Sequence, residues 1–393
     1  MTDRNAELIY LDNAATTYPK PEAVYQAMDQ FYRQFGGNAG RGANPLARKA
    51  AALVEETRGL ATQWLGASEV IFSPSATIAL NTVIFGASLH PSDVVYLTPF
   101  EHNSVLRPVE HLRKTRGIEV RQIPFDRATM ACDLTQVQEL FIIDPPTLLC
   151  LTQVSNVFGL IIPVDEIITA ARIANPDVVV IVDGAQAAGL LPLPMTEIDA
   201  LVFSGHKSLY GPFGIAGIVF NRAWRPNPLL YGGTGTVSES IDMPHNGYSR
   251  FEVGSQNILA MAGLNAALKW LQETGRENIV RHTKMLTQNL QKSLMGLDKV
   301  IVYVSKKPNQ HFGIISFNIE GVRSQAVETA LGAHNIAIRA GLHCAPWAHE
   351  FLCTKELGGT LRASIGYFVH LPVLARFEEI INQNVGDRKS STF

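Results

Sequence analysis

Val178-Val179-Val180-Ile181-Val182-Asp183-Gly184-Ala185-Gln186 decides the reading of the fold. A continuous β-branched run with no polar face reads as a strand buried on both sides, the habit of parallel sheets covered by helices. Further strand candidates lie at 70–73, 93–98, 119–123, 148–152, 200–203 and 215–220, with helical stretches such as 103–116, 163–174 and 184–189 between them. This alternation predicts an α/β fold whose mostly parallel sheet is flanked by helices. Gly214–Phe220 follows the 200–203 run after too short a link for a parallel crossover, so this one strand is expected antiparallel. A long helical segment, Ile258–Thr274, leads into a second region. There Phe312–Asn318 alternates like a strand half open to solvent. The expected division is a large domain over 19–257, a connecting helix over 258–275, and a smaller α+β C-terminal domain over 276–393. Asp387–Phe393 reads as a frayed tail.

The chain has 393 residues, 46% of them hydrophobic and 17% charged. That is enough for one large core and a smaller one. The net charge of −2 and the lack of a basic stripe argue against nucleic acid. The apolar runs fall short of the ~18–20 residues that a membrane span needs. With the polar start Met1–Glu7, a cytoplasmic protein is expected. Cys132, Cys150, Cys344 and Cys353 then read as thiols rather than disulfides. His343, Cys344, His349 and Cys353 cluster in sequence but fit no zinc spacing, so no metal is expected.

Two short pieces carry chemistry. Ser204-Gly205-His206-Lys207 places a lysine just past the apolar run Ala200–Phe203, and Leu209-Tyr210-Gly211-Pro212 follows. A lysine held there can form an imine with an aldehyde cofactor. Asp183 ends a strand, and open α/β sheets bind ligands beyond their strands' carboxyl ends. Taken alone, Asp183 fits a helix cap equally well. Together with Lys207 it suits pyridoxal phosphate (PLP), holding a proton on the ring nitrogen. Val70-Ile71-Phe72 leads through Ser73-Pro74-Ser75-Ala76-Thr77 into a helical stretch from Ile78 to Leu89. Small hydroxyl residues at a helix N-terminus offer N–H groups to a phosphate. No P-loop or GxGxxG pattern is present. The second piece, Gly341-Leu342-His343-Cys344-Ala345, puts a cysteine in a loop expected to be mobile. A cysteine there can act as nucleophile if positive neighbours, His343 or Arg339, favour its thiolate.

Several segments in one order carry a resemblance: Tyr10–Thr17, Glu101-His102, Gln153–Gly159, Asp183–Gln186, Ser204–Lys207, Arg250–Gly254, Arg339–Ala345 and Leu361–Ser364. The chain resembles class V (fold type I) PLP enzymes of the cysteine desulfurase and selenocysteine lyase group. The resemblance makes the large domain the PLP domain and joins residues 1–18 to the small domain. It implies that Lys207 carries the cofactor, His102 stacks on its ring, Asp183 pairs with the ring nitrogen and Gln186 bonds the ring hydroxyl. Thr77, Ser204 and His206 would hold the phosphate, with Ser75 and Ala76 also at the cofactor, and Ser255 would reach the phosphate of a partner subunit in a homodimer. Asn156, Arg339 and Arg362 would bind the substrate, with Asn156 also beside the cofactor. Lys207, Cys344 and His102 would be the catalytic residues.

The implied activity converts L-cysteine to L-alanine, leaving sulfur on Cys344 as a persulfide for an acceptor protein. Selenocysteine lyase, another class V lyase or transaminase, and a non-catalytic interaction protein are the alternatives. The chain departs from the group's pattern at Gly254-Ser255-Gln256-Asn257, where Gly-Thr-Pro-Asn is usual. It also departs at Ala76, at the extra Ser208, and at Val369-His370.

Overall fold

A computed structural model describes residues 8–39, 42, 44–235 and 239–386. The expected tail, Asp387–Phe393, lies outside the described residues, as do residues 1–7. The main sheet has seven strands. Their spatial order is Glu69–Ser73, Ala216–Phe220, Ala200–Ser204, Val179–Asp183, Leu148–Thr152, Val94–Leu97 and Glu119–Gln122. All neighbouring pairs are parallel except those of Ala216–Phe220, which runs antiparallel to both its neighbours. The short link after Ala200–Ser204 thus gives the reversal expected of it. One apolar cluster, with Leu149, Val180, Val182 and Phe203, covers one face of the sheet. A second, with Val95, Cys150, Ile181 and Val202, covers the other. Burial on both faces is why the central strands carry no alternation.

A second sheet of four antiparallel strands is ordered Arg339–Gly341, Thr360–Ser364, Ile314–Ile319 and Val300–Tyr303. Its own cluster joins Leu286, Leu290 and Leu294 to Leu374, Phe377 and Ile381, and includes Ile9 and Leu11. Ile9–Tyr10 pairs in parallel with Ile336–Ala337. The helix Ile258–Thr274 connects the two regions.

Three local expectations need correction. Residues 184–189 form consecutive turns, not a helix: Ala188 N–H bonds the Gly184 carbonyl at 2.7 Å, and Gly189 lies at φ +74°. A left-handed residue there cannot continue an α-helix. The helix after the Ser73–Thr77 loop spans Ala76–Phe85 rather than Ile78–Leu89, with Ser75 Oγ accepting from Ile78 N–H as its cap. Ile314–Ile319 is buried at every position instead of half open. Helices cover one face of that strand, and Ser316 on the other bonds the Val157 carbonyl of the large domain at 2.6 Å.

Candidate active site

The carboxyl ends of the central strands converge on one cavity of about 190 Å³. The register pairs Thr152 with Asp183 and Asp183 with Val202, so neighbouring strands end together. Ser75, Ala76, Thr77, His102, Asn156, Asp183, Gln186, Ser204, His206 and Lys207 all line this cavity.

Burial pulls the Lys207 ammonium from 10.5 down to about 8, opposed by Asp183 and assisted by Arg362 and Arg339. A lysine so placed gives up its proton far more readily than an exposed one, and its neutral form becomes substantial as pH approaches about 8. Burial raises the Asp183 carboxyl, while Ala185 N–H donates to its Oδ1 at 2.9 Å. A cation beside Asp183 would restore its charge. His102 caps the helix Asn103–Arg116: its Nδ1 accepts from Ser104 N–H at 3.1 Å. Burial first, then Lys207, pulls its imidazole down to about 4, leaving a neutral ring. His206 stacks on Phe213 with centroids 4.5 Å apart, and its Nδ1 is buried without a partner.

The small sheet brings Arg339 and Arg362 near this cavity without lining it; Arg362 reaches its wall through Asn156. Antiparallel pairing sets Arg339 directly across from Arg362. Directly opposed residues share a face, and like charges there repel. Asp12 offsets part of that repulsion through a 2.7 Å bond from Arg362 Nη2. Arg362 Nη1 donates to the Asn156 carbonyl at 2.9 Å, and its Nε is buried with no partner. Two cations on one face with a spare N–H suit an incoming carboxylate.

Cys344 is exposed. Its loop is tied down rather than hanging free: Asn103 N–H bonds the Cys344 carbonyl, and Asn156 Nδ2 the His343 carbonyl, both at 2.7 Å. His343 and Cys344 sit at φ +47° and +58°, a left-handed geometry costly for side-chain-bearing residues. Gly359 must be glycine for this loop, because a Cβ there would collide with the Gly341 carbonyl. His343 is no source of charge for the thiolate. It is buried against the Thr360 carbonyl at 3.0 Å, and burial holds its imidazole well below 6.5. Arg339 and Arg362 remain as the cations.

The Aminotransferase class-V family model matches residues 9–371. The chain belongs to that family. Within the class-V aminotransferases it resembles proteins named for sulfur chemistry. A "Probable cysteine desulfurase" of Methanothermobacter thermautotrophicus is 32% identical, covering 92% of this chain and 90% of its own. A "Cysteine desulfurase" of Haloferax volcanii is 32% identical, over 89% of this chain and 84% of its own. The apo structure of a cysteine desulfurase from Thermococcus onnurineus NA1 superposes with a TM-score of 0.88 at 30% identity, covering 96% of this chain and 95% of its own. Class-V membership accounts for the fold: a mostly parallel large sheet with helices on both faces.

Ser255 is not brought to Lys207 within one chain. It lines a separate cavity of about 430 Å³ beside Arg58 and Glu252, and its Oγ accepts from Asn38 Nδ2 at 3.0 Å. His349 packs under Phe158 and bonds Thr354 Oγ1 at 2.7 Å.

Sequence reasoning assigned no role to Asp12 or Glu101, and did not single out Lys20 at all. Burial pushes the Glu101 carboxyl from 4.5 up to about 8, although Thr98 Oγ1 and Thr152 N–H bond its Oε1 at 2.7 and 2.9 Å. Its Oε2 has no partner. The folded protein therefore keeps this proton between pH 4.5 and about 8, whereas the unfolded chain releases it. The group's contribution to stability is whole below pH 4.5 and is lost as pH rises through 8. Glu101→Gln, which cannot ionise, should gain on the parent by about 1.4 kcal/mol per pH unit across that window. Urea midpoints at pH 5 and pH 8 measure it; an equal offset at both would show that Glu101 does not titrate there.

Proposed function

We propose that this protein is a PLP-dependent cysteine desulfurase, converting L-cysteine to L-alanine and passing the sulfur to Cys344 as a persulfide. The observation that carries the reading is an exposed thiol, Cys344, close enough for its charge to act on both Arg362 and Lys207. A transaminase needs no such thiol.

The residues present fit PLP. His206 Nδ1 is an unpartnered buried nitrogen in the cavity wall, and the Ala76–Phe85 helix turns its first N–H groups toward the same cavity. These suit a phosphate. Buried Asp183 suits a protonated ring nitrogen, neutral His102 a ring face, and Lys207 the aldehyde carbon. When bound, PLP supplies the electron sink that lets the bond from the substrate's α-carbon to hydrogen break.

The chain's own groups do the rest. Arg362 and Asn156, with Arg339 across the sheet, grip the substrate carboxylate and orient the α-hydrogen toward Lys207. The neutral Lys207 amine takes that proton as general base. The Cys344 thiolate attacks the substrate sulfur. A sulfur–sulfur bond forms, the bond from β-carbon to sulfur breaks, and the electron pair stays with the carbon fragment, which gains protons to leave as alanine. Lys207, carrying the α-proton, is placed to return one of them.

Three further features belong to this reading. The chain works as a homodimer in which Ser255 completes the partner's phosphate site; an active monomer in sedimentation at micromolar concentration would rule that out. The domain division expected from sequence is supported by the separate apolar cluster around the four-stranded sheet, which includes Ile9 and Leu11. The setting is the cytoplasm, where thiols stay reduced and a sulfur-acceptor protein can collect the persulfide; no described helix is long and apolar enough to cross a membrane. The decisive experiment incubates purified, PLP-loaded protein with L-cysteine and reductant and measures alanine and sulfide. No alanine from cysteine, with turnover of selenocysteine, would make it a selenocysteine lyase instead.

A further inference from the structure

A second, smaller cavity of about 40 Å³ also touches Lys207. Thr17, Gln186 and Ser208 contribute polar walls. A water needs ~10–15 Å³ of such volume and a few polar partners, so there is room for about three. From there Thr17 leads outward. Its Oγ1 lies 2.7 Å from Lys20 Nζ. Lys20 is half-buried, reaches solvent, and also donates to the His206 carbonyl at 2.8 Å. Burial alone pulls its ammonium from 10.5 down to about 7, so the amine can both take and give a proton near neutral pH.

The geometry meets a need of the chemistry. Lys207 lines its cavity half-buried, so a substrate bound there would cover it. A proton that Lys207 has taken then has two fates: return to the substrate, or escape by another route.

We propose that Thr17 and Lys20, with water in this small cavity, form a proton relay between Lys207 and solvent. The relay rests on the proposed role of Lys207 as general base. The Lys207 ammonium gives a proton to the cavity water, and that water gives one to the Thr17 hydroxyl oxygen. Thr17 passes its own hydroxyl proton to the neutral Lys20 amine, and the Lys20 ammonium releases one to bulk water. Only protons move, and every group returns to its starting state.

The test uses PLP-loaded protein and L-cysteine deuterated at the α-carbon, in ordinary water, with mass spectrometry of the alanine. The parent should lose most of the deuterium to solvent. Lys20→Met and Thr17→Val should each retain severalfold more in alanine, because the route out is cut while return to the substrate is not. Lys20→Arg separates a relay from a clamp: it keeps charge and donors but cannot release a proton near neutral pH. The relay predicts that it behaves like Lys20→Met. Retention unchanged in Lys20→Met, or restored to the parent level in Lys20→Arg, would overturn the proposal.

Competitive acetylation across pH on the PLP-free protein gives an independent readout. Lys20 should titrate near 7, and titration near its ordinary value of 10.5 would refute the relay. Exchange of the α-hydrogen of L-alanine with heavy water requires Lys207 but not Cys344. If the parent makes no alanine from cysteine yet exchanges alanine, the desulfurase reading fails. The relay is then judged by whether exchange slows in Lys20→Met.

Discussion

Lys207→Ala, loaded with PLP and reduced with borohydride, should carry no covalent adduct on the 200–215 peptide, whereas the parent carries one on Lys207. Alanine formation should fall by at least ~10³-fold, since the same change removes both the covalent anchor and the general base. The reason is geometric. Lys207 is the lysine that meets Asp183, His102 and the unpartnered His206 nitrogen in one cavity. Lys20 lines no part of that cavity. An adduct persisting in Lys207→Ala, mapped by peptide mass spectrometry to another lysine, would move the cofactor site and remove the basis of the mechanism.

Cys344→Ser should lower alanine formation from cysteine by at least about 10³-fold, while the visible absorbance of bound PLP and its change on adding cysteine persist. Neither cofactor binding nor the first contact with substrate uses the thiol. Serine keeps the shape, so the left-handed backbone at residue 344 is undisturbed. A hydroxyl is a far weaker nucleophile toward sulfur than a thiolate. Alkylation gives a second measure. Burial raises the Cys150 thiol well above 9.0 and pushes Cys132 up to about 12, while Cys344 is exposed. Iodoacetamide should therefore mark Cys344 before either of them. Full activity in Cys344→Ser would make the thiol a spectator and turn the reading toward a lyase that needs no sulfur acceptor on the enzyme.

The central strands of the large sheet were legible because each is buried on both faces, unlike the half-open edge strand Glu119–Gln122, and a run such as Val178–Val182 suits such a strand. The helix Ile258–Thr274 was legible from its length, with Asn257 Oδ1 capping Ala260 N–H. Ile314–Ile319 was misread because alternating Ser316 and Asn318 suggest a wet face. Their polar atoms are instead consumed by the Val157 and Gly359 carbonyls, partners 159 and 41 residues away in sequence. Residues 184–189 were misread because small residues favour a helix locally, whereas Gly189, packed against the Trp64 ring, sits at φ +74° and cannot continue one. Such contacts have no signature in local pattern.

The sequence by itself determined the strands of the large sheet, the reversal of Ala216–Phe220, and the residue types around Lys207 and Cys344. These follow from periodicity, link length and chemical identity, all properties of neighbours along the chain. Only the tertiary structure decided how charges share a space. It opposes Arg339 to Arg362 and answers them with Asp12, keeps His343 neutral, protonates Glu101 beneath the site, and sets Lys20 beside Thr17 and the His206 carbonyl. Burial and electrostatic partnership depend on what folding brings together from distant parts of the chain, so no reading of neighbours could supply them.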